Sequence, residues 1–123
     1  MFERLHGLRV VADPAALDGA HWQGSGAVTV LRLAPDDAFA IGAATVELDD
    51  EHAIVEAETG FVGAWLPIDV IAHHLEWPLP RERPTLAQGA VAQVPARVWL
   101  PDDGDALLIT AAAYADELAG RVL

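Results

Sequence analysis

The stretch from Gln88 to Leu118, QGAVAQVPARVWLPDDGDALLITAAAYADEL, constrains the fold more than any other part of the chain. Residues 90–100 are rich in Val and read as one long strand, and residues 106–109 form a second apolar run. Between them Pro101-Asp102-Asp103-Gly104-Asp105 contains the Asp-Gly pair that favours a hairpin turn, because both residues tolerate positive φ. Thr110 then stands where an N-cap would open a last helix over 111–122. On that helix Tyr114, Leu118 and Val122 recur every four residues, the stripe of a helix packed on a core.

The residues upstream supply what this hairpin and helix pack against. Phe61 to Leu66 is an apolar strand, and Pro67 opens the clearest helix, at a position where its missing N–H costs nothing. Asp69 lies in the first turn and His73-His74 in the last, which suits the helix dipole. Ile68, Ile71, Ala72 and Leu75 form one apolar stripe, and the helix must end before Pro78. Trp77 to Pro84, WPLPRERP, reads as a stiff extended crossover. The second half is therefore β-α-β-β-α.

The first half contributes strands over 27–33, 38–43, 45–48 and 53–58. Ala34-Pro35-Asp36-Asp37 is a turn, and Asp49-Asp50-Glu51-His52 reads as the turn of a hairpin. The period of two in Val46-Glu47-Leu48 and Ile54-Val55-Glu56 implies one buried and one wet face. Residues 1–26 supply a strand or an arm, with one helical turn after Asp13-Pro14. The expected product is a single α+β domain over residues 1–123, an antiparallel sheet with two helices on one face.

Composition narrows the function. A formal charge of −12 argues against nucleic acid and against an anionic membrane surface. No apolar run reaches the ~20 residues of a membrane span, and MFERLHGLRVV has no signal-peptide pattern, so a cytoplasmic location is the expectation. With no Cys and no Lys, thiolate, disulfide and Schiff-base chemistry are excluded. All seven basic residues are Arg, which a GC-rich genome or an acidic halophilic proteome explains without function.

Candidate chemistry is sparse. Asp69 and His73, at i and i+4, have a chelating spacing, with His21 or His52 needed to complete a site. The plainer reading is the wet face of an amphipathic helix. The acidic run from Glu47 to Glu58 lacks the spacing of a calcium loop and reads as solvated turn carboxylates. Ser25 has no G-x-S-x-G around it, and no threonine has a neighbouring His. No catalytic residue and no cofactor are implied. Trp65 and Trp99 lie in strands and are expected in the core. Trp77, with Trp22, is the candidate for contact with a partner or planar ligand, and Arg81 and Arg83 beside it are placed to grip a carboxylate.

The order of elements resembles the γ subunit of heterotetrameric sarcosine oxidase, a relative of the glycine-cleavage T-protein domain. Leu31-Arg32-Leu33-Ala34-Pro35-Asp36-Asp37 resembles that family's R-L-x-P-D-E element. Phe61 to Pro80 resembles its strand, helix start and apolar-Pro-Leu exit, and Gly89 to Leu118 its closing strand pair and Tyr-Ala-Asp helix. The chain departs from the family in having Ala38 where an aromatic residue usually follows the acidic turn, and Leu66-Pro67 where the family has Gly-Pro. No folate-binding or catalytic motif of the family matches a position here. The resemblance implies a ferredoxin-like second half and a non-catalytic accessory subunit that packs on larger flavin- and folate-using oxidase subunits. The alternatives are a folate-like small-ligand binding domain using Trp77, Arg81 or Arg83, a homo-oligomer, and, last, a His/Asp metal enzyme.

Overall fold

A computed structural model describes residues 2–123. In chain order the first elements are β1 (Glu3–Arg4), β2 (Gly7–Val11), α1 (Pro14–Asp18), β3 (His21–Gln23), β4 (Thr29–Ala34), β5 (Asp37–Ile41), β6 (Thr45–Glu47) and β7 (Ile54–Glu58). They are followed by β8 (Phe61–Leu66), α2 (Ile68–Ala72), β9 (Thr85–Val91), β10 (Val94–Leu100), β11 (Ala106–Ala111) and α3 (Ala115–Val122). No helix among the described residues is long and apolar enough to cross a membrane. The chain divides into two compact units: Leu5–Thr59, and a second unit that takes the chain up to Arg4 and resumes from Gly60 to Leu123.

The second unit is a five-stranded sheet in the order β1-β8-β11-β10-β9, with every pairing antiparallel. Alternate residues Ala87, Val91, Val94, Val98, Leu100, Ala106 and Leu108 turn to one face, where Ile71 of α2 and Leu118 and Val122 of α3 join them in one buried cluster. Both helices thus sit on one face, as the α+β reading expects. Full burial of a large aliphatic side chain contributes ~1.5–3 kcal/mol, so this cluster is the main stabilising element of the unit.

The ferredoxin-like detail differs. The single strand expected over 90–100 is two strands, β9 and β10, folded back on each other through Ala92 and Gln93 with Val91 opposite Val94. The unit runs β-α-β-β-β-α, and β8 and β9, the strands joined through α2, run antiparallel with β11 and β10 between them, whereas a split β-α-β joins two parallel strands around a single antiparallel one. Two further expectations fail locally. Thr110 lies inside β11 and caps no helix; its hydroxyl donates to the Pro95 carbonyl at 2.8 Å. A 3-10 turn, Ala112–Tyr114, precedes α3 and leaves Tyr114 exposed.

The Leu5–Thr59 unit holds a four-stranded antiparallel sheet, β4-β5-β2-β7, and a two-stranded sheet of β3 and β6. Val10, Ala12, Leu17 and Ala38 form its buried cluster, with Trp22, Val30, Val46 and Leu48 against them. Residues 49–52 do not close a hairpin: β6 pairs with β3, and β7 with β2. The Asp50 carboxylate accepts the Asp13 N–H at 2.8 Å and the His52 N–H at 2.9 Å. These bonds, first that from Asp13, hold Asp50 below its ordinary carboxylate pKa.

Candidate functional site

The face of the five-stranded sheet opposite to the helices carries a continuous row of large side chains. Cross-strand register places Trp65, Leu107, Trp99 and Leu86 in one row over β8, β11, β10 and β9. Leu107 is buried, whereas Trp65 is 55% exposed. The core position expected for Trp65 is therefore wrong, and period two explains it: Val62 and Ala64 take the helix side of β8, so Trp65 must take the other.

One row along, Gly63, Ile109, Arg97 and Gln88 stand in register. Gln88 and Arg97 are joined by Arg97 Nε donating to Gln88 Oε1 at 3.1 Å, and the Arg97 guanidinium lies 5.7 Å from the Phe61 ring centroid. Beyond them is an open cavity of about 410 Å³ whose lining includes Phe61, Gln88, Pro95, Arg97 and Tyr114. Arg97 escaped the sequence reading, although its alternation with Pro95 and Trp99 already put it on this face.

The residues singled out from the sequence are dispersed. Trp77 is half-buried at the outer edge of β9, its Nε1 donating to the Ala90 carbonyl at 2.8 Å. A Cβ on Gly89 would come within 2.8 Å of its ring, so glycine is required there for the indole to lie on the strand. Trp77 borders a second cavity of about 340 Å³, with His74, Glu76, Gln93 and Arg121. Arg83 turns back on its own crossover, donating to the Pro80 and Glu82 carbonyls at 2.6 and 2.7 Å, next to a cis Arg83-Pro84 bond. Arg81 is exposed. Trp22 packs against the core of the other unit.

Asp69 is exposed in the first turn of α2, and its backbone carbonyl accepts the His73 N–H at 3.1 Å. The helix stops at Ala72 and its tail tightens into 3-10 turns, so His73 and His74 face each other edge-on at 5.2 Å. No group of three or more His, Cys, Asp or Glu able to hold a metal ion occurs among the described residues.

No family model, curated protein or solved structure matches this chain.

One ionic cluster was not foreseen. Arg9, on β2, grips Asp37 with two bonds of 2.6 and 2.7 Å and Glu58 with one of 3.0 Å. The bonds to Asp37, offset in part by burial and reinforced by its charge and then by Glu58, raise the Arg9 pKa above its ordinary value. All three side chains are at least two-thirds buried. The arrangement fixes β5 and β7 on either side of β2, and the guanidinium fork suits it as a lysine could not. It joins strands and presents no reactive group.

Proposed function

We propose that the protein is a non-catalytic accessory subunit that binds a larger protein partner, of the kind implied by the resemblance to the γ subunit of sarcosine oxidase. The observation that carries this reading is Trp65, more than half exposed at the end of a row of large apolar side chains. Tryptophan in such a position is a characteristic anchor of protein interfaces, since it brings a large apolar area at small entropic cost. The docking point moves accordingly from the Trp77–Pro84 crossover to β8. The sheet order departs from a ferredoxin-like one, so the resemblance rests on the sequence stretches 31–37, 61–80 and 89–118 alone. Coexpression with the flavoprotein oxidase subunits of its own genome tests the reading. Co-elution that Trp65→Ser abolishes is expected; separate elution, or co-elution unaffected by that change, refutes it.

A second reading is favoured by the cavity beside Arg97, whose volume lies in the range of small-ligand sites. A planar carboxylate would meet the guanidinium that lies over Phe61. Titration with folate, followed by tryptophan fluorescence and repeated on Arg97→Met, decides it. Saturable quenching weakened by the substitution supports this reading, and an unchanged signal excludes it.

A further inference from the structure

The edges of the two larger sheets are treated differently. The outer edge of β9 is covered by Trp77, bonded to the Ala90 carbonyl. At the other end of that sheet β1 is only two residues long. In the four-stranded sheet β4 breaks register between Arg32 and Ala34. These are the usual means of blunting a strand edge. The edge formed by β7 is regular over its five residues, pairs only with β2, and leaves Ile54 57% and Val55 45% exposed.

The direction of its backbone groups follows from the neighbouring ladder. The Ala12 N–H donates to the Asp36 carbonyl at 3.0 Å and the Gly42 N–H to the His6 carbonyl at 2.8 Å, so the even-numbered residues of this segment direct their polar groups toward β5. Those of Gly7, Arg9 and Val11 point to β7, opposite Glu58, Glu56 and Ile54. By the same alternation Val55 and Ala57 direct their N–H and C=O groups away from the sheet. Side chains along this edge are apolar on one face, Val55 and Ala57, while the other carries Ile54 together with Glu56 and Glu58. There Glu58 is held by Arg9 and Glu56 is exposed.

We propose that β7 accepts an extended segment of a partner protein as an added antiparallel strand. Its side chains would alternate between basic, opposite Glu56, and aliphatic, opposite Val55 and Ala57. Main-chain bonds supply affinity in such strand addition, and alternate side chains supply selectivity. Charge selects the occupant. A second copy of this chain paired about Glu56 would set Glu56 against Glu56 and Ile54 against Glu58, and would bring together two molecules each of charge −12. A basic strand turns the repulsion at Glu56 and that between the net charges into attraction. The proposal is independent of the subunit reading, because it concerns another surface and no oxidase.

The test uses the full chain and an end-blocked peptide of alternating Lys and Val, with a Glu/Val peptide of equal length as control. Hydrogen exchange read by NMR is expected to slow at the Val55 and Ala57 amides when the Lys/Val peptide is added. Val55→Pro removes an outward N–H without touching the ladder to β2 and is expected to weaken binding about fivefold to tenfold, the worth of one hydrogen bond. Glu56→Lys, at an exposed side chain, is expected to transfer preference to the Glu/Val peptide. Thermal melts confirm that both variants fold. The proposal is overturned by equal binding of the two peptides, or by binding that Val55→Pro leaves unchanged, which marks charge attraction alone. Self-association lost in Val55→Pro also overturns it, since the occupant is then a second copy, as does absence of binding at ~1 mM.

Discussion

The turn joining β9 and β10 should be improvable by substitution, because two residues with side chains hold it in a conformation that side chains resist. Ala92 has φ of 49° and Gln93 of 68°, the pair of positive values that a two-residue hairpin requires and that Asn-Gly adopts most easily. The left-handed conformation costs an ordinary residue ~1–2 kcal/mol. Surrounding bonds hold the turn in place. The Ala92 N–H donates to the His74 carbonyl at 3.0 Å, and the Ala92 carbonyl accepts Arg121 Nη1 at 2.8 Å, so the ends of both helices are tied to it. Gln93→Gly removes the penalty at the second position, and the greater freedom of glycine in the unfolded chain returns part of the gain. The net expectation is stabilisation by ~1 kcal/mol. In urea that is a midpoint shift of roughly 0.5 M at unchanged m-value, and on heating a rise of about 3–5 °C. Tryptophan fluorescence is the readout, since Trp77 lies on Gly89 beside the turn. Gln93→Ala, which keeps a Cβ, should leave the midpoint unchanged. Ala92→Pro cannot reach positive φ and loses the amide bond to His74, and should cost ~3 kcal/mol or more. An unchanged or lower midpoint for Gln93→Gly, or an equal gain in Gln93→Ala, would refute backbone strain as the cause.

Gly89→Ala must displace the Trp77 indole and should destabilise by ~1–3 kcal/mol. In a Trp77→Ala background most of that loss should vanish, and additive losses in denaturant melts would show that the two residues do not meet. Arg9→Met leaves Asp37 and Glu58 without their shared cation and should cost ~2 kcal/mol in urea titration, whereas an unchanged midpoint would make the cluster energetically idle. For Asp50 the folded pKa lies below the ordinary value of 3.8, so its stabilisation is complete above that value and is lost as pH falls through the folded pKa. The gap between wild type and Asp50→Ala should therefore be constant near neutral pH and should close in acid, and a gap that persists at about pH 2 would exclude the carboxylate bonds as its source.

How far the fold was legible depends on the range of the forces involved. Strands such as residues 27–33 and 61–66 follow from runs of β-branched and apolar residues, a local signal, and the structure has β4 and β8 there. The β9–β10 hairpin was hidden because Ala-Gln gives no turn signal; tertiary bonds from His74 and Arg121 hold what propensity disfavours. The apparent hairpin over 49–52 fails through a bond to Asp13, 37 residues away, that no local reading contains. Tyr114 has the right spacing for the stripe of Leu118 and Val122, but a 3-10 turn with three residues per turn carries it off that face. At the candidate site Trp77 stands out in the sequence beside its prolines, but Gly89, on which its ring lies, has no side chain to mark it. Arg97 and Trp65 are marked only by the alternation of their strands, and an apolar strand in a small domain reads as core on both faces.

The treatment of edges bears on function more directly than any single side chain. A charge of −12 opposes self-association by repulsion, and covering β9 with an indole answers a local need. Val91 and Ala87 on that strand belong to the main core, and a foreign strand paired there would compete with the contacts of α2 at Ile71. β7 stands under no such constraint. All but one of its side chains are exposed, its inward bonds are complete, and a strand added outside it disturbs no buried residue of the cluster around Val10. An edge that is straight, open and acidic, in a chain that blunts its other long strand edges, is therefore the position where pairing with a basic segment costs the fold least.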